Sequence, residues 1–357
     1  MTVVQGAGVE VSGVTDFAAL EARWRDLEQR ASPSFFQSWT WTGCLVAERF
    51  PDPVLVTATE AGRTVALALF NRVRQRIAPS LLYLGETGDD GLDSPYIEHN
   101  GVLAETGREA ALAEICLRAV AASHILVLSG IGEPVLRTVR RVAGLVWTRK
   151  QRESPFVDLA ASRRSGADFL AGRSPNTRQQ IRRSDRSYAA RGVLTVRCAD
   201  TLEAAHAMLD NMAALHQTSW VARGQPGSFA RPFFGRFHHA LVDAGFPRGE
   251  VALTATYKGQ SLIGILYNFS FRGRILAYQS GFDYTAAGTH EKPGLTCHHA
   301  AIRQALEQGA DVYDFLAGND RYKRSLADGS DQHYWVEAGP VWSPRLLSRR
   351  MRSIFGS

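Results

Sequence analysis

Apolar and polar positions follow two different periods along the chain, and each period predicts its own kind of element. In DFAALEARWRDLEQR the apolar residues recur at helical spacing: Phe17, Leu20, Trp24 and Leu27. Asp16 precedes them at the position where a helix-capping residue is expected. Further along, VLVTATEAGRTVALALF predicts two strands joined by a turn at Ala61-Gly62. The first part of the chain therefore mixes helices with a β-hairpin.

The stretch from Gly288 to Lys323 shows the clearest succession of elements. After Pro293-Gly294, apolar residues from Leu295 to Leu306 recur at helical spacing, and Gly309 is expected to end the helix. The run VYDFL (312–316) then predicts a strand that leads into a turn at Gly318. A glycine at a helix start lets an anion approach the free N–H groups of the first turn. Lys292, Gly294 and Leu295 are thus candidates for binding a phosphate. The alternative is that Pro-Gly only marks the start of the helix.

Two distant stretches repeat the same order of signals. Val56–Phe70 and Leu253–Tyr267 align without gaps and share five of fifteen residues. In both, a helix and Phe-Pro precede the first strand, a glycine turn joins the second strand, and a helix and another strand follow. Such a repeat predicts duplication of one α/β unit with a mixed sheet covered by helices. We expect one unit at 1–155, a second at 156–342, and a basic tail at 343–357.

The amino-acid composition is typical of an ordinary globular protein. Hydrophobic residues make up 45% of the 357 residues and charged residues 21%. No apolar run reaches the ~18 residues that a membrane-spanning helix needs, and the N-terminus has no signal-peptide pattern. The four cysteines lack CxxC spacing, so we expect reduced thiols and a cytoplasmic protein. No group of histidine, cysteine and carboxylate residues has ligand spacing, and no metal site is predicted.

The positive charge is concentrated in one region. Between Arg163 and Arg191 there are eight arginines and two aspartates, an excess equal to the net charge of +6 of the whole chain. Arg178, Arg182 and Arg186 lie at helical i, i+4, i+8 spacing and form one stripe. Like charges at this spacing disfavour an isolated helix. The stripe therefore indicates an anionic partner, which could be a nucleotide cofactor, an RNA, a nucleotide-sugar or lipid phosphates, or else a solvated helix face.

Other polar and aromatic residues stand at positions that suggest a cleft. Asp314 lies in an otherwise apolar strand, where it acts either as a base or as the partner of a buried cation such as Lys323 or Arg324. Lys323 and Arg324 follow the Gly318 turn and are candidates for binding a phosphate or carboxylate, with a solvated surface pair as the alternative. Trp220 and Tyr96 are candidates for the wall of an acceptor cleft, with ordinary core packing as the alternative.

Three segments resemble a known family. KPGLTCHHAAIRQALEQGADVYDFLAGNDRYK resembles the C-terminal signature of the tandem GNAT-type acyltransferases, which include the Fem-like aminoacyltransferases and the CelD-like acetyltransferases of exopolysaccharide and envelope-glycan pathways. SPNTRQQIRRSDRSYAARG is similar to the Arg-rich segment of this family, and FFQSWTW to its opening aromatic block. The resemblance covers nearly the whole chain. It implies an α/β fold of two tandem GNAT-like domains with mixed, largely antiparallel sheets.

The resemblance also implies acyl transfer to an amine. In such folds two splayed strands supply backbone donors to the acyl group, and the strand around Tyr278 and Gln279 is the candidate here. These two side chains face opposite sides of the strand, so only one lines the cleft. Tyr278 is a candidate proton donor to a leaving thiolate, Gln279 a candidate substrate contact, and Asp314 a candidate base. Packing in the core is the alternative for Tyr278.

The resemblance leaves three functions open. The first is transfer from acyl-CoA, without a metal or tightly bound cofactor, to an amino sugar or similar envelope or exopolysaccharide precursor. The second is a Fem-like reaction that takes its donor from aminoacyl-tRNA. The usual glycine-rich pyrophosphate loop is absent from THEKPGL, which leaves the second function open, whereas the lack of a long heptad arm favours CoA. The third is a sensor that binds nucleotides or membranes without turnover.

The C-terminal segment PRLLSRRMRSIFGS combines basic and apolar residues. Such a pattern predicts either a helix that docks on anionic lipid at the inner membrane face or a helix that packs on the protein itself. The sequence leaves the oligomeric state undetermined.

Overall fold

The chain divides into two compact units, which we describe separately. The computed structural model describes residues 7–76, 78–166, 168–318 and 320–355, with side chains described as far as residue 350. The first unit contains Met1–Arg152 together with Gln332–Ser357, and the second contains Glu153–Asp331. The sequence placed 332–342 in the second unit, whereas these residues belong to the first.

The elements follow one another in this order: β1 (Gly8–Gly13), α1 (Phe17–Arg30), α2 (Trp39–Thr42), α3 (Val46–Arg49), β2 (Pro53–Glu60), β3 (Arg63–Val73), β4 (Leu81–Leu84), β5 (Leu103–Ala104), α4 (Glu109–Ala121), β6 (Ile125–Gly132), α5 (Glu133–Val142), β7 (Leu145–Asp158), α6 (Leu159–Ser165), α7 (Pro175–Ala189), β8 (Leu194–Cys198), α8 (Leu202–Val221), α9 (Pro232–Gly245), β9 (Val251–Lys258), β10 (Ser261–Phe271), β11 (Arg274–Phe282), α10 (Pro293–Glu307), β12 (Val312–Asp314), α11 (Arg321–Leu326), β13 (Gly329–Gly339) and α12 (Pro344–Phe355). Among the described residues, no helix is both long and apolar enough to cross a membrane.

The first unit is a mixed sheet covered on both faces by helices. Its strands are ordered β1-β2-β3-β4-β6-β13, and only the β4–β6 pairing in this order is parallel. Alternation along β3 directs Ala66, Ala68 and Phe70 into the core that contains α4. The intervening Leu67 and Leu69 face α1. Asp16 caps α1 by accepting two backbone N–H bonds, which confirms the sequence prediction for this helix.

The C-terminal segment completes the first unit. Strand β13 pairs antiparallel with β6, where Ala338 lies opposite Leu126. In α12, Arg345 donates two hydrogen bonds to the buried carboxylate of Glu337, and Leu346 is buried. Burial opposes ionisation of Glu337, but the Arg345 guanidinium outweighs it and lowers the Glu337 pKa. This part of the predicted tail therefore packs on the protein. Side chains of 351–355 lie outside the described residues.

Strands β8-β9-β10-β11-β12 of the second unit repeat the order β1-β2-β3-β4-β6 of the first, and β7 occupies the place beside β12 that β13 occupies beside β6. The strands of the second unit are ordered β7-β12-β11-β10-β9-β8, and the β11–β12 pairing is parallel. Hairpin β9–β10 corresponds to β2–β3, and both turns contain a glycine with positive φ, Gly259 and Gly62. Helix α10 ends as predicted, with Gly309 at a φ of 81°. Strand β12 is shorter than the predicted VYDFL because the Asp314 side chain accepts the Leu316 N–H and turns the backbone out of the sheet.

Helix α8 approaches the backbone of β11 closely at one glycine. A Cβ atom added to Gly281 would lie 2.3 Å from the Met212 carbonyl oxygen and 2.9 Å from the Leu215 Cβ. Backbone atoms of a packed helix have little room to retreat. The absence of a side chain at residue 281 thus sets the distance between α8 and the sheet.

This contact predicts that Gly281→Ala lowers the thermal midpoint of the second unit. Overpacking of this kind typically costs about 1–3 kcal/mol. Gly235→Ala in α9 is the matched control, because nothing lies within 4 Å of the added Cβ and alanine favours a helix. Differential scanning calorimetry should show a lower midpoint for Gly281→Ala only. Equal midpoints for the two variants would contradict the close approach.

Two histidines of the second unit are buried without charge. His238 is surrounded by aromatic rings, and its Nδ1 lies 3.3 Å from the Tyr267 hydroxyl. Burial lowers the pKa of His238 to about 3, with a further contribution from His239. Burial also lowers the pKa of His298 to about 3, with a further contribution from Lys323. Both imidazoles therefore stay neutral in the folded protein at pH values where the unfolded chain binds protons.

Stability should consequently fall as the pH drops from about 6.5 towards 3. Each buried histidine contributes a slope of about 1.4 kcal/mol per pH unit in this window, since only the unfolded form is protonated there. His238→Phe keeps an aromatic ring in the cluster and should remove one of the two contributions. Urea denaturation at pH 7, 6 and 5 measures the slope in the wild-type protein and in His238→Phe. An unaltered slope in His238→Phe would refute the neutral buried imidazole.

Candidate functional site

A cavity of about 760 Å³ opens in the second unit at the beginnings of three helices. It lies where α7, α10 and α11 begin and where β11 ends. The lining consists of Gly172, Arg173, Ser174, Asn176, Thr177, Gln180, Phe282, Tyr284, Glu291, Lys292, Pro293, Gly294, Leu295, Arg321, Tyr322, Arg324, Ser325 and Ala327. We refer to this cavity as the donor pocket, because it exposes hydrogen-bond donors and cations.

The first turn of α10 leaves backbone donors available in the donor pocket. Pro293 begins the helix and has no N–H, while the cap residue Lys292 forms no side-chain capping bond. The Thr296 N–H donates to the Lys292 carbonyl. Within the described part of the chain, the N–H groups of Gly294 and Leu295 have no partner, and both residues line the pocket. Together with the helix dipole, they favour a bound anion.

A polar network fixes α10 against α7. Ser184 accepts the Lys292 N–H at 2.8 Å, and its hydroxyl lies 2.9 Å from that of Thr296. The neighbouring Asp185 accepts the Thr296 hydroxyl at 2.8 Å and lies 2.9 Å from the His299 Nδ1. Two adjacent residues of α7 therefore hold both the cap and the first turns of α10. This contact sets the position of the free N–H groups.

Cationic side chains surround these donors. Lys292 and Arg321 are exposed in the pocket, and neither side chain has a hydrogen-bond or ion-pair partner among the residues that the structure describes. Arg324 also lines the pocket, whereas the buried Arg173 is bound to Asp328. A ligand with several negative charges would meet two unpaired cations and two backbone donors within one pocket.

The acidic residue of the lining is already neutralised. Glu291 accepts hydrogen bonds from Arg191 at 2.9 and 3.0 Å and from the Gly288 N–H at 2.7 Å. Burial raises the pKa of Glu291, but these bonds outweigh it and the net pKa is lowered. Glu291 thus shapes the loop before α10 and does not cancel the positive potential of Lys292 and Arg321.

Strands β11 and β12 separate beside the pocket. They pair only between Arg274–Leu276 and Val312–Asp314, although β11 continues to Phe282. The Asp283 N–H donates to Ile263 in β10, so alternation along the strand turns the N–H groups of Ser280 and Phe282 away from β10. These groups face the side on which no described strand continues the ladder.

A buried aromatic cluster lies beneath Tyr322. The Nδ1 of His298 lies 2.9 Å from the Tyr313 hydroxyl, and the imidazole stacks on Tyr322 with ring centroids 5.3 Å apart. The His298 Nε2 is buried without a partner among the described residues. Since Tyr322 lines the pocket, this cluster supports one of its walls from below.

The structure brings four of the predicted ligand-binding residues together. Lys292, Gly294, Leu295 and Arg324 all line the donor pocket. Lys323, which the sequence grouped with them, points to the carbonyls of Leu316 and Ala317 at 3.3 and 3.4 Å and is not part of the lining.

The two candidate catalytic residues lie outside this lining. Tyr278 packs on Phe269 and His238, with ring centroids 4.7 and 5.1 Å apart. The fully buried Asp314 accepts hydrogen bonds from Ser154, the Leu316 N–H and Arg274. The structure shows Arg274 as a cationic partner of Asp314 at 2.6 Å, whereas the sequence suggested Lys323 or Arg324.

The candidate substrate residues are dispersed. Arg178 bonds to the carbonyls of Ala171 and Arg173, whereas Arg182 and Arg186 are exposed on α7 outside the lining.

The remaining candidates also lie outside the lining. Trp220 is 39% exposed at the end of α8 and packs on His216. Gln279 is half-buried on β11, and Tyr96 is exposed in the first unit.

Several residues of the pocket were not singled out from the sequence. Arg321 and Tyr322 directly precede Lys323, but α11 is too short for periodicity to show which side chains face inward. Asn176 and Gln180 lie on the α7 face beside the arginine stripe, at i and i+4. The signal in the sequence was a row of polar, uncharged residues beside the arginine stripe on the same helix.

Comparison with known proteins agrees with this fold. Residues 175–324 match the family model described as an acetyltransferase (GNAT) domain. No curated protein matches the chain in sequence. The structure is similar to that of FemX, with a TM-score of 0.58 and 11% identity over 98% of this chain and 100% of FemX.

Two further solved structures share the fold. One is the C-terminal domain of a putative lysylphosphatidylglycerol synthetase from Agrobacterium fabrum, with a TM-score of 0.57 and 11% identity over 95% of this chain and 97% of that one. The other is L-PGS from Bacillus licheniformis, with a TM-score of 0.56 and 10% identity over 94% and 97%. Residues 175–324 therefore match a GNAT acetyltransferase domain, and the chain as a whole shares the fold of FemX.

Proposed function

We propose that the donor pocket binds the phosphates of an acyl-CoA and that the protein transfers the acyl group to an amine. The observation that carries this proposal is the pair of unpartnered N–H groups of Gly294 and Leu295, flanked by the unpaired Lys292 and Arg321. A diphosphate offers the spread negative charge that two backbone donors and two cations bind well.

The surroundings of the pocket suit the acyl end of the donor. The N–H groups of Ser280 and Phe282 face the gap where β11 leaves β12, as donors for a thioester carbonyl should. An attacking amine forms the new C–N bond, and the carbonyl oxygen then carries the charge that such donors stabilise. The C–S bond breaks next, the new amide nitrogen loses a proton, and the thiolate gains one, so that amide and free thiol are formed without a net change in protons. Tyr284 and Tyr322 supply the phenols of the pocket lining.

For the acceptor we propose an amine of an envelope or exopolysaccharide precursor, such as an amino sugar. This choice rests on the resemblance to the acyltransferases of those pathways. The catalytic roles proposed for Tyr278 and Asp314 would have to act from outside the pocket lining, Asp314 through its bond to Arg274.

A second candidate donor is aminoacyl-tRNA. The observation in its favour is that Arg182 and Arg186 are exposed on α7 beyond the pocket, where CoA phosphates bound at Lys292 do not require them. A longer polyanion would use this additional basic surface.

The acyl-CoA proposal predicts that Lys292→Gln and Arg321→Gln each raise the dissociation constant for CoA by about tenfold. A charge-assisted hydrogen bond contributes about 1.5–3 kcal/mol, and 1.4 kcal/mol corresponds to a factor of ten. Isothermal titration calorimetry with CoA and acetyl-CoA measures the effect. Arg303→Gln is the matched control, because it removes one positive charge from the exposed side of the same helix.

Two outcomes would contradict this proposal in different ways. Binding that is equally tight in the Lys292→Gln/Arg321→Gln double variant would place the phosphates elsewhere. If neither CoA nor any acyl-CoA binds, the donor class is wrong. Release of free thiol in the presence of an amino sugar distinguishes an enzyme from a sensor, which would bind without turnover.

The tRNA alternative makes its own prediction. Arg182→Gln/Arg186→Gln should weaken binding of charged tRNA several-fold, because two phosphate contacts are lost, and should reduce the salt dependence of binding by about two counterions. CoA affinity should stay the same in this variant. Filter binding of charged tRNA at several salt concentrations measures the tRNA affinity and its salt dependence. Unchanged tRNA affinity would exclude this surface as the tRNA-binding site.

A further inference from the structure

Two histidines from neighbouring helices meet at the surface of the second unit. His206 lies on α8 and His239 on α9, with ring centroids 5.1 Å apart and planes inclined by 8°. Their Nδ1 atoms face each other at 3.0 Å. Neither residue lines the donor pocket. We refer to this arrangement as the histidine pair.

Each outer nitrogen of the histidine pair is bound to a carboxylate. The His206 Nε2 lies 2.7 Å from Asp243, and the His239 Nε2 lies 2.9 Å from Asp210. An ionised carboxylate only accepts hydrogen bonds, so both Nε2 atoms carry the proton. In two neutral imidazoles, the two unprotonated Nδ1 atoms would then lie 3.0 Å apart.

Two lone pairs this close repel each other unless a proton or a metal ion bridges them. We propose that the bridge is a divalent transition-metal ion of the Zn²⁺ class, bound by the Nδ1 atoms of His206 and His239. Zinc–nitrogen bonds of about 2.0–2.1 Å place two ligands about 3.3 Å apart at the tetrahedral angle and about 2.9 Å apart at a right angle. The observed 3.0 Å lies between these values.

The surroundings have the features that a metal site requires. Histidine ligands of metals commonly donate their second N–H to a carboxylate, which fixes the tautomer and makes the ligating nitrogen more basic. Asp243 and Asp210 do this for both rings and balance the charge of a divalent ion. The side chains of His206 and His239 are 25% and 42% exposed, so water can complete the coordination shell.

A metal at this position would connect α8 to α9. The ligands lie 33 residues apart in sequence, and His239 follows the buried His238, so neither shows the spacing of a metal motif. For this reason the sequence predicted no metal site. The inference is independent of the donor pocket and of the acyl donor.

The experiment uses the full chain, purified without a histidine tag and treated with a chelator, in a Cys198→Ser background that removes the exposed thiol. Titration with Zn²⁺ should give one saturable site and raise the thermal midpoint. Co²⁺ should give the visible absorption of a nitrogen-ligated ion. His206→Gln and His239→Gln should each raise the Zn²⁺ dissociation constant at least tenfold. Asp243→Asn should raise it about tenfold, through the orientation of His206.

His290→Gln is the control, because it removes an exposed histidine whose Nε2 lies beside Arg183 and should leave binding unchanged. Equal Zn²⁺ affinity in the His206→Gln/His239→Gln double variant would overturn the proposal, since binding would then occur elsewhere. The absence of saturable binding would also overturn it. In that case a proton shared between the two Nδ1 atoms explains the pair, which nitrogen-15 NMR of the imidazoles would reveal.

Discussion

The parallel contact between β11 and β12 is only three residues long, and the arrangement of the second unit depends on where this contact ends. Asp314 determines that point. Its carboxylate is fully buried and binds Arg274 at the start of β11, Ser154 in β7 and the Leu316 N–H beyond the strand. A buried charge is stable only when it is paired and hydrogen-bonded in this way. The same bonds that neutralise Asp314 thus turn the chain out of the sheet and free the edge of β11.

The free edge of β11 becomes part of the candidate site because helix α10 follows it. Helix α10 begins beside the end of β11, and α7 holds its first turn through Ser184 and Asp185. Neither of these side chains touches the unpartnered N–H groups of Gly294 and Leu295. The network therefore positions the donors while leaving them available. An ordinary capping side chain at residue 292 would have satisfied a donor, whereas lysine adds a positive charge beside it.

The sequence predicted those parts of the site that are formed by residues close together in sequence. The Pro293-Gly294 start, the Gly309 end and the position of Lys292 are local signals, and the structure places Lys292, Gly294, Leu295 and Arg324 in one pocket. The repeat also indicated the correct class of fold. Contacts between distant residues were not visible in this way.

The partner of Asp314 illustrates this limit. Lys323 and Arg324 were near in sequence, but Arg274 lies beside Asp314 because β11 and β12 are paired, 40 residues apart. The pairing of β13 with β6 and the meeting of His206 with His239 are further cases. Such contacts depend on how strands and helices pack, and no local pattern records them.

The return of the chain to the first unit has a consequence for its synthesis on the ribosome. Strand β6 ends at Gly132, but its partner β13 begins at Gly329, after almost the whole second unit. During translation, the edge of β6 therefore stays unpaired until β13 has been synthesised. The second unit, by contrast, has all its strands once Asp331 has been added. The nascent protein must protect an open sheet edge while the second unit is synthesised, and a chain that terminates before β13 is left with an edge that is prone to aggregation.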